Sequence, residues 1–452
     1  MRCEKGLFVM LGTLDVLEGL WNAIYPFLTL FNVKVRFVFD YVHVYFTDLF
    51  QVFLYVTAAF TLVYLILFLI VNLSKKKDNE KPFIPEKAPF VTVQIPTRNE
   101  IIALRCAKRC LAFDYPEDKF EILIGDDSND VSVSRELDEF ASQYPGKVMV
   151  VRRAENIGFK PGNLNNMLDH SRGDVLVIFD SDFTPEPDFL KRIVAPFIHD
   201  ESVSAVQAKW NFNNFNQNAV TVLASIIVYS FHHAMLSFIN LFGAGSLCGS
   251  AEAIKKKDLI ELGRWRSGSL TEDIECTMRL YKNNKKIVYM PKLECYSDVP
   301  YVPADLYKQQ MRWAYGVVNA YKLHLKDILL SRSLSLKKKL ISLSSGFGYV
   351  MPVFMFLLFV LGSLSFITHK PDVINILKFL FELLFNILLT SGLLFLSLLV
   401  LYKERKLGYA FKMILSSFSI GIVTSYYVNK GIFKSAFNKP MQWYLLNKKK
   451  EY

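Results

Sequence analysis

Residues Asp174-Val175-Leu176-Val177-Ile178-Phe179-Asp180-Ser181-Asp182 form an apolar run closed by two carboxylates. A run apolar at nearly every position fits a strand covered on both faces of a parallel sheet. The same kind of segment recurs on either side. Strands are expected at 90–95, 120–125, 147–152, 174–179 and 203–208, with helices at 99–112, 133–143, 163–170 and 186–199 between them. Strands separated by helices of this length imply an α/β fold with a mostly parallel sheet and right-handed crossovers. Ligands of such sheets bind beyond the carboxyl ends of the strands, so the residues just after each strand decide what the domain does.

Those residues are polar in every case. Pro96-Thr97-Arg98-Asn99-Glu100 follows the first strand, and Asp126-Asp127-Ser128-Asn129-Asp130 the second. The third is followed by Glu155-Asn156-Ile157-Gly158-Phe159-Lys160-Pro161-Gly162-Asn163, the fourth by Asp180-Ser181-Asp182. Any one of these is explained by a helix cap or a turn, where Asp and Asn are at home. Four on one rim are not. Asp180 and Asp182, two apart at the end of an extended segment, can turn toward one hard cation. Mg²⁺ takes one or two carboxylates together with substrate phosphates, and a cation there would neutralise a diphosphate leaving group.

Further on, Ser269-Leu270-Thr271-Glu272-Asp273 opens an apolar helix over 274–281. Ser269 and Glu272 fit a capping box, while Asp273 fits a general base whose pKa is raised by burial beside other acids. The sequence leaves both open. Gln309, Arg312 and Trp313 lie at i, i+3 and i+4 of a helical stretch, 303–330, and share a face. That face suits an interfacial helix with Trp and Arg at headgroup level, or equally a platform under a sugar with Arg312 on a phosphate. Residues 243–249, Gly-Ala-Gly-Ser-Leu-Cys-Gly, look like a dinucleotide fingerprint but carry one residue too many and follow a helical stretch instead of a strand.

The flanks are of another composition. The chain has 452 residues, 52% of them apolar and 21% charged. Residues 50–73, 341–367, 383–402 and 413–429 contain no Asp, Glu, Lys or Arg, and three of these reach the roughly 20 residues that a bilayer core requires. An ordinary soluble protein and a disordered chain are both excluded. Lys75–Lys77 and Lys337–Lys339 flank the same central region, so 75–340 is expected on the cytoplasmic side. The 17-residue segment 413–429 is short for a span. The net charge, 53 Lys+Arg less 42 Asp+Glu or +11, sits largely beside the spans, facing anionic lipid; no basic module suggests nucleic acid. Cysteines 3, 106, 110, 248, 276 and 295 have no framework spacing and are expected as reduced thiols. Asp15 and Glu18 interrupt the apolar start, so no cleavable signal peptide is expected. The expected organisation is an aromatic-rich membrane-associated segment at 1–49, a spanning helix at 50–73, a cytoplasmic domain at 75–300, interfacial helices at 301–340, about three spanning helices at 341–430 and a basic tail at 431–452.

In order and spacing these motifs, with Val206-Gln207-Ala208-Lys209-Trp210, resemble the inverting family 2 glycosyltransferases with membrane spans. That superfamily includes cellulose, chitin and hyaluronan synthases and the plant cellulose-synthase-like mannan synthases, and the mannan-synthase-like branch is the most similar. Residues 433–440 are loosely similar to a tail motif of bacterial members, from which Asn438-Lys439-Pro440 departs. The resemblance implies a nucleotide-diphospho-sugar transferase (GT-A-like) domain inserted between transmembrane helices. It also implies roles: Pro96, Glu100 and Asp126 at the nucleoside, Lys160 at the diphosphate, Asp180 at donor phosphates or ribose, and Asp182 with Asp180 on Mg²⁺ or Mn²⁺. Asp273 would be the base, and Glu272, Gln309, Arg312 and Trp313 would line the acceptor and diphosphate end. The implied activity is hexose transfer from UDP-glucose or GDP-mannose with β-linkage. Its product is a processively extended polysaccharide or, as the alternative, a glycolipid made by single transfer. The implied setting is a plasma, Golgi or ER membrane. Four or so spans are few for a whole channel, so a second copy or an accessory translocation protein is expected beside the glycan or lipid acceptor.

Overall fold

The computed structural model describes residues 2–74, 80–368, 376–442 and 444; the basic cluster at 75–77, the turn at 369–372 and, of the basic tail expected at 431–452, residues 443 and 445–452 fall outside them. The elements of the central region are β1 Val91–Thr97, α2 Ala103–Leu111, β2 Phe120–Asp126, α3 Val131–Ser142, β3 Val148–Val151, α4 Phe159–His170, β4 Val175–Ile178, α5 Phe189–His199 and β5 Val203–Phe212. They continue as α6 Ala219–Ser230, α7 Ser237–Leu241, β6 Glu252–Lys255, α8 Lys256–Glu261, α9 Glu272–Lys282, β7 Lys286–Ser297 and α10 Pro303–Leu330. Ahead of them lies α1 Arg2–Leu73; after them come α11 Leu336–Thr368, α12 Ile376–Thr390, α13 Gly392–Lys403, α14 Ala410–Phe418 and α15 Ile420–Ala436.

The sheet has seven strands in the order β3-β2-β1-β4-β6-β5-β7. All pairings are parallel except those of β6, which runs antiparallel to both β4 and β5. The five strands expected from sequence are present. β6 and β7 were not expected. Alternating side chains feed two cores, as a sheet covered on both faces requires. Val91, Val93, Ile95, Val175 and Val177 pack with α2, α3 and α5. Leu123, Leu176 and Ile178 pack on the other face with α4 and α6. The carboxyl ends of β1, β2, β4, β5 and β7 therefore open onto one edge.

The chain forms two compact units. One comprises residues 1–58 and 354–390. Within it, His43 Nδ1 lies 3.0 Å from the Ser365 carbonyl and Thr47 Oγ1 2.8 Å from Ser365 Oγ, and most other apolar side chains of α12 are exposed, as in a helix that faces lipid. The other unit, 59–353 and 391–452, holds the sheet. In it α10 lies along α15, and α13 and α14 cover α6. Three helical stretches of the described residues are long and apolar enough to cross a membrane, at Val33–Leu73, Ala219–Leu241 and Gly348–Thr368; counting each bent pair as one span gives five. Ala219–Leu241 is 72% buried and belongs to the domain core. The segment at 413–429 is a bent pair, with 51° between Leu407–Phe418 and Ile420–Ala436. α1 runs unbroken across residue 49: the charges that interrupt its apolar pattern include Arg36 and Asp40, which pair at 3.2 Å on one helix face.

A buried charge cluster joins the sheet to the end of α13. Lys209 Nζ donates to Glu294 Oε1 at 2.9 Å and to Glu404 Oε1 at 2.7 Å; His233 Nε2 meets the same Glu404 oxygen at 2.5 Å. Burial works against the Glu404 charge, but His233 and Lys209 hold its pKa down to about 2. Removing one partner of such a cluster strands the others in a poorly solvated place. Glu404→Ala is expected to cost on the order of 3 kcal/mol of stability, measured as a lowered Tm of the detergent-solubilised protein, with Glu404→Gln intermediate.

Candidate active site

A single cleft of about 210 Å³ opens at the carboxyl edge of the sheet. β1 supplies Pro96 and Thr97, with Glu100 just beyond it; Asp180, Ser181 and Asp182 follow β4. Lys160 enters from the first turn of α4, Glu272 and Asp273 from the first turn of α9, and Gln309, Arg312 and Trp313 from one face of α10. Ten of the eleven residues singled out from sequence thus line one space.

Asp126 is the exception. Its side chain is fully buried at the end of β2, accepting the Ser128 N–H at 2.9 Å, the Ser134 hydroxyl at 2.7 Å and Arg152 Nε at 2.8 Å. Burial alone would raise its pKa, but Ser128 and Ser134 keep it below the usual carboxylate range. Asp126, expected at the nucleoside, does not line the cleft; its neighbour Asp127 does. Successive residues of a strand point to opposite sides, so a doublet of acids delivers one inward and one aside. Asp127 is gripped by Arg153, Nε on Oδ1 at 2.8 Å and Nη2 on Oδ2 at 2.5 Å.

Lys160 is the centre of the cleft floor. Its Nζ lies 2.8 Å from Asp180 Oδ1 and 3.0 Å from Glu272 Oε1, and donates to the Gly249 carbonyl at 2.6 Å. Burial opposes its charge, yet Asp180 and Glu272 raise its pKa above the lysine norm. Asp273 is pushed up to about 7, first by burial and then by the Glu272 charge; the Ile274 N–H, Lys160 and Arg312 pull the other way. Glu100 accepts the Ser181 hydroxyl. The helix begins at Thr271, whose side chain makes no cap bond. Glu272 is committed to Lys160, so the capping box from Ser269 does not form.

Two glycines set this geometry. Gly316 of α10 abuts Thr271, and a methyl group there would lie 2.5 Å from Thr271 Oγ1; only glycine lets α10 approach the start of α9 so closely. Gly249 has φ of +89°, and a methyl group there would lie 3.4 Å from Asp273 Oδ2 and 3.6 Å from Lys160 Nζ. It comes from the stretch set aside as a false dinucleotide fingerprint, which also delivers Cys248 to the cleft. Sequence reasoning missed both. Trp210, quoted in a motif but given no role, is edge-on to Phe183 at 5.3 Å; Asp298, Tyr301 and Tyr444, which sequence reasoning did miss, are also on the wall.

For a divalent cation the donor set is suitable. Asp180, Asp182 and Asp298 present hard oxygens to one cleft, and the Asp298 N–H donates to Asp182 Oδ2 at 3.2 Å. Among the described residues no three His, Cys, Asp or Glu side chains form a ready-made cage. A cation there would be held by one or two carboxylates and completed by substrate phosphates. Gly249→Ala is expected to destabilise the protein by about 1 kcal/mol from its positive φ alone, read as a lowered Tm.

Comparison with known proteins gives the family and the fold. Residues 88–316, half of the chain, match the model of the glycosyltransferase like family 2. The probable glucomannan 4-beta-mannosyltransferase 7 of Oryza sativa subsp. japonica is 30% identical over 268 residues, 57% of this chain and 46% of that one. The probable glucomannan 4-beta-mannosyltransferase 14 of Arabidopsis thaliana is 30% identical over 278 residues, 59% of this chain and 52% of that one. The chain spans about half the length of these relatives. A mannosyltransferase from Pyrobaculum calidifontis, solved in complex with GDP-Man and Mn²⁺, superposes with a TM-score of 0.59, covering 89% of this chain and 100% of its own at 16% identity. That is a likeness of fold, the GT-A-like α/β arrangement. By its matched domain the chain belongs to the glycosyltransferase like family 2.

Proposed function

We propose that the chain is a membrane-bound inverting glycosyltransferase that moves a hexose from a nucleoside-diphosphate sugar onto a growing β-glycan. The observation that carries this reading is Asp273: one buried carboxyl with a pKa near 7, beside Lys160 and Arg312. A base poised near neutral pH can take the proton of an acceptor hydroxyl. The hydroxyl oxygen then bonds to the anomeric carbon as the bond from that carbon to the phosphate oxygen breaks. Lys160 and Arg312 receive the negative charge that develops on the departing diphosphate. With one base and no second nucleophile assigned, the displacement is single and in line, so an α-linked donor gives a β-glycoside.

Asp182, with Asp180 beside it, would hold Mg²⁺ or Mn²⁺, which would neutralise the leaving diphosphate. Pro96, Glu100 and Asp127 line the nucleoside end, and Asp180 is the acid best placed to exchange its Lys160 bond for a donor contact, being 34% exposed where Glu272 is 4%. Trp313 and Gln309 form the acceptor wall. The relatives' names favour mannose, hence GDP-mannose, over UDP-glucose. Lys337–Lys339 at the entry to α11 favour a cytoplasmic catalytic domain, in the plasma membrane or, in a eukaryote, the Golgi or ER. So few spans favour a second copy or an accessory protein for export of the product.

The test supplies GDP-mannose and UDP-glucose in turn to protein in lipid nanodiscs, with and without Mn²⁺, and sizes the product. Polymer from GDP-mannose is the expected result; label found only in extractable lipid would give the acceptor as a lipid and remove processivity. Asp273→Asn is expected to reduce turnover by at least about 10³-fold, near the upper part of what a general base contributes, while nucleotide binding by calorimetry is retained. Because the carboxylate form must be present to accept a proton, kcat/KM is expected to fall with unit slope as pH drops below about 7 and to level off above it.

A further inference from the structure

Glu252 opens β6 and has no part in the chemistry above. Its carboxyl is 1% exposed and lies behind the loop at 246–251. A single oxygen, Oε2, accepts the Gly249 N–H at 2.8 Å and the Cys248 N–H at 3.1 Å. The same Gly249 offers its carbonyl to Lys160 Nζ at 2.6 Å. The loop is held from the other side by Gln207, whose Oε1 also accepts the Cys248 N–H at 2.7 Å and whose amide donates to the Ser250 carbonyl at 3.0 Å. Burial, and then the Asp273 charge, push the Glu252 pKa up to about 8, so at neutral pH the group is mostly an uncharged acceptor. A neutral acceptor is what a site already crowded with acids can tolerate at that depth.

A lysine ammonium has three donors, and here they have three acceptors: Asp180, Glu272 and the Gly249 carbonyl. A diphosphate arriving in the cleft displaces the most exposed of these, Asp180. The other two then hold the ammonium on its flexible four-carbon stem. Gly249 at positive φ has no side chain to fix its peptide planes; the hydrogen bonds to its N–H do so. We propose that Glu252 is a positioning residue for the diphosphate end of the cleft, acting through the Gly249 carbonyl to fix Lys160 Nζ where phosphates are received. The proposal rests on the nucleoside-diphosphate sugar reading and assigns a further residue to that same site.

The experiment is calorimetric titration of the full chain in lipid nanodiscs with GDP and with UDP, each with Mn²⁺, for wild type, Glu252→Ala, Lys160→Ala, the double variant and Glu252→Gln. Glu252→Ala is expected to weaken nucleoside-diphosphate binding about 10-fold, and to weaken it less than about 2-fold further when Lys160 is already alanine, since partners that act through one another are not additive. Glu252→Gln keeps the one oxygen that takes both N–H groups and is expected within about 3-fold of wild type. If Glu252→Ala does not fold, Glu252→Asp, too short to reach both N–H groups, takes its place in the cycle. Losses that multiply in the double variant, or a Glu252→Gln protein as weak as Glu252→Ala, would overturn the proposal while leaving the donor reading intact. A wild type that binds neither nucleotide would overturn that reading and the proposal with it.

Discussion

The site is governed by a shortage of positive charge in a buried place. Around Lys160 and Arg312 stand Asp180, Glu252, Glu272 and Asp273, so with all of them ionised four negative charges would face two positive ones. Removing unpaired charges from water is costly enough that groups shift their pKa instead. Glu272 and Asp180 have the ammonium within 3.0 Å. Glu252 and Asp273 are left to move up to about 8 and 7. A carboxyl with the basicity to accept a hydroxyl proton at neutral pH is thus a consequence of how many acids share too few cations. The same deficit would favour a divalent cation at Asp180 and Asp182.

This crowding is possible because the fold brings distant segments to one edge. Parallel strands put their carboxyl ends side by side, which accounts for Pro96, Asp127 and Asp180. β6 contributes by running the other way: its reversal between β4 and β5 carries the loop at 246–251 to the same edge, and Glu252 is its first residue. α9 and α10 close the cleft, fitted together at Gly316 and Thr271.

What could be read from the chain follows these lines. Strands buried on both faces are written as continuous apolar runs, so β1, β2, β4 and β5 stood out; the four polar strand ends are those of β1, β2, β3 and β4. The face of α10 was legible because i, i+3 and i+4 fix a helical stripe. Asp126 and Asp127 were not separable, since the alternation that turns one of them aside depends on where the strand ends to within one residue. β6, only four residues long between a glycine-rich loop and a helix, carries too short a pattern to announce a direction. Without its direction, Glu252 and Gly249 have no visible connection to a lysine 90 residues away in sequence. Thr271, not Ser269, starts α9 because Glu272 is drawn to Lys160, a tertiary pull that local capping rules do not contain. Cys248 and Asp298 likewise acquire their place only when the sheet is assembled.

The acceptor wall is tied to the apolar helices by the same logic of alternate faces. Trp210 of β5 lines the cleft, and its neighbour Lys209 points away to Glu404 at the end of α13. α10 presents Gln309, Arg312 and Trp313 to the cleft and lies along α15 on another side, so close that a methyl group on Gly431 would sit 2.3 Å from the Met311 carbonyl. Met441, beyond α15, packs with Met311 of α10 and with Leu270, which lines the cleft. A strand and a helix that touch the acceptor region are therefore each keyed to helices outside the sheet. Rigid elements shared in this way hold the cleft wall in a constant relation to the apolar helices.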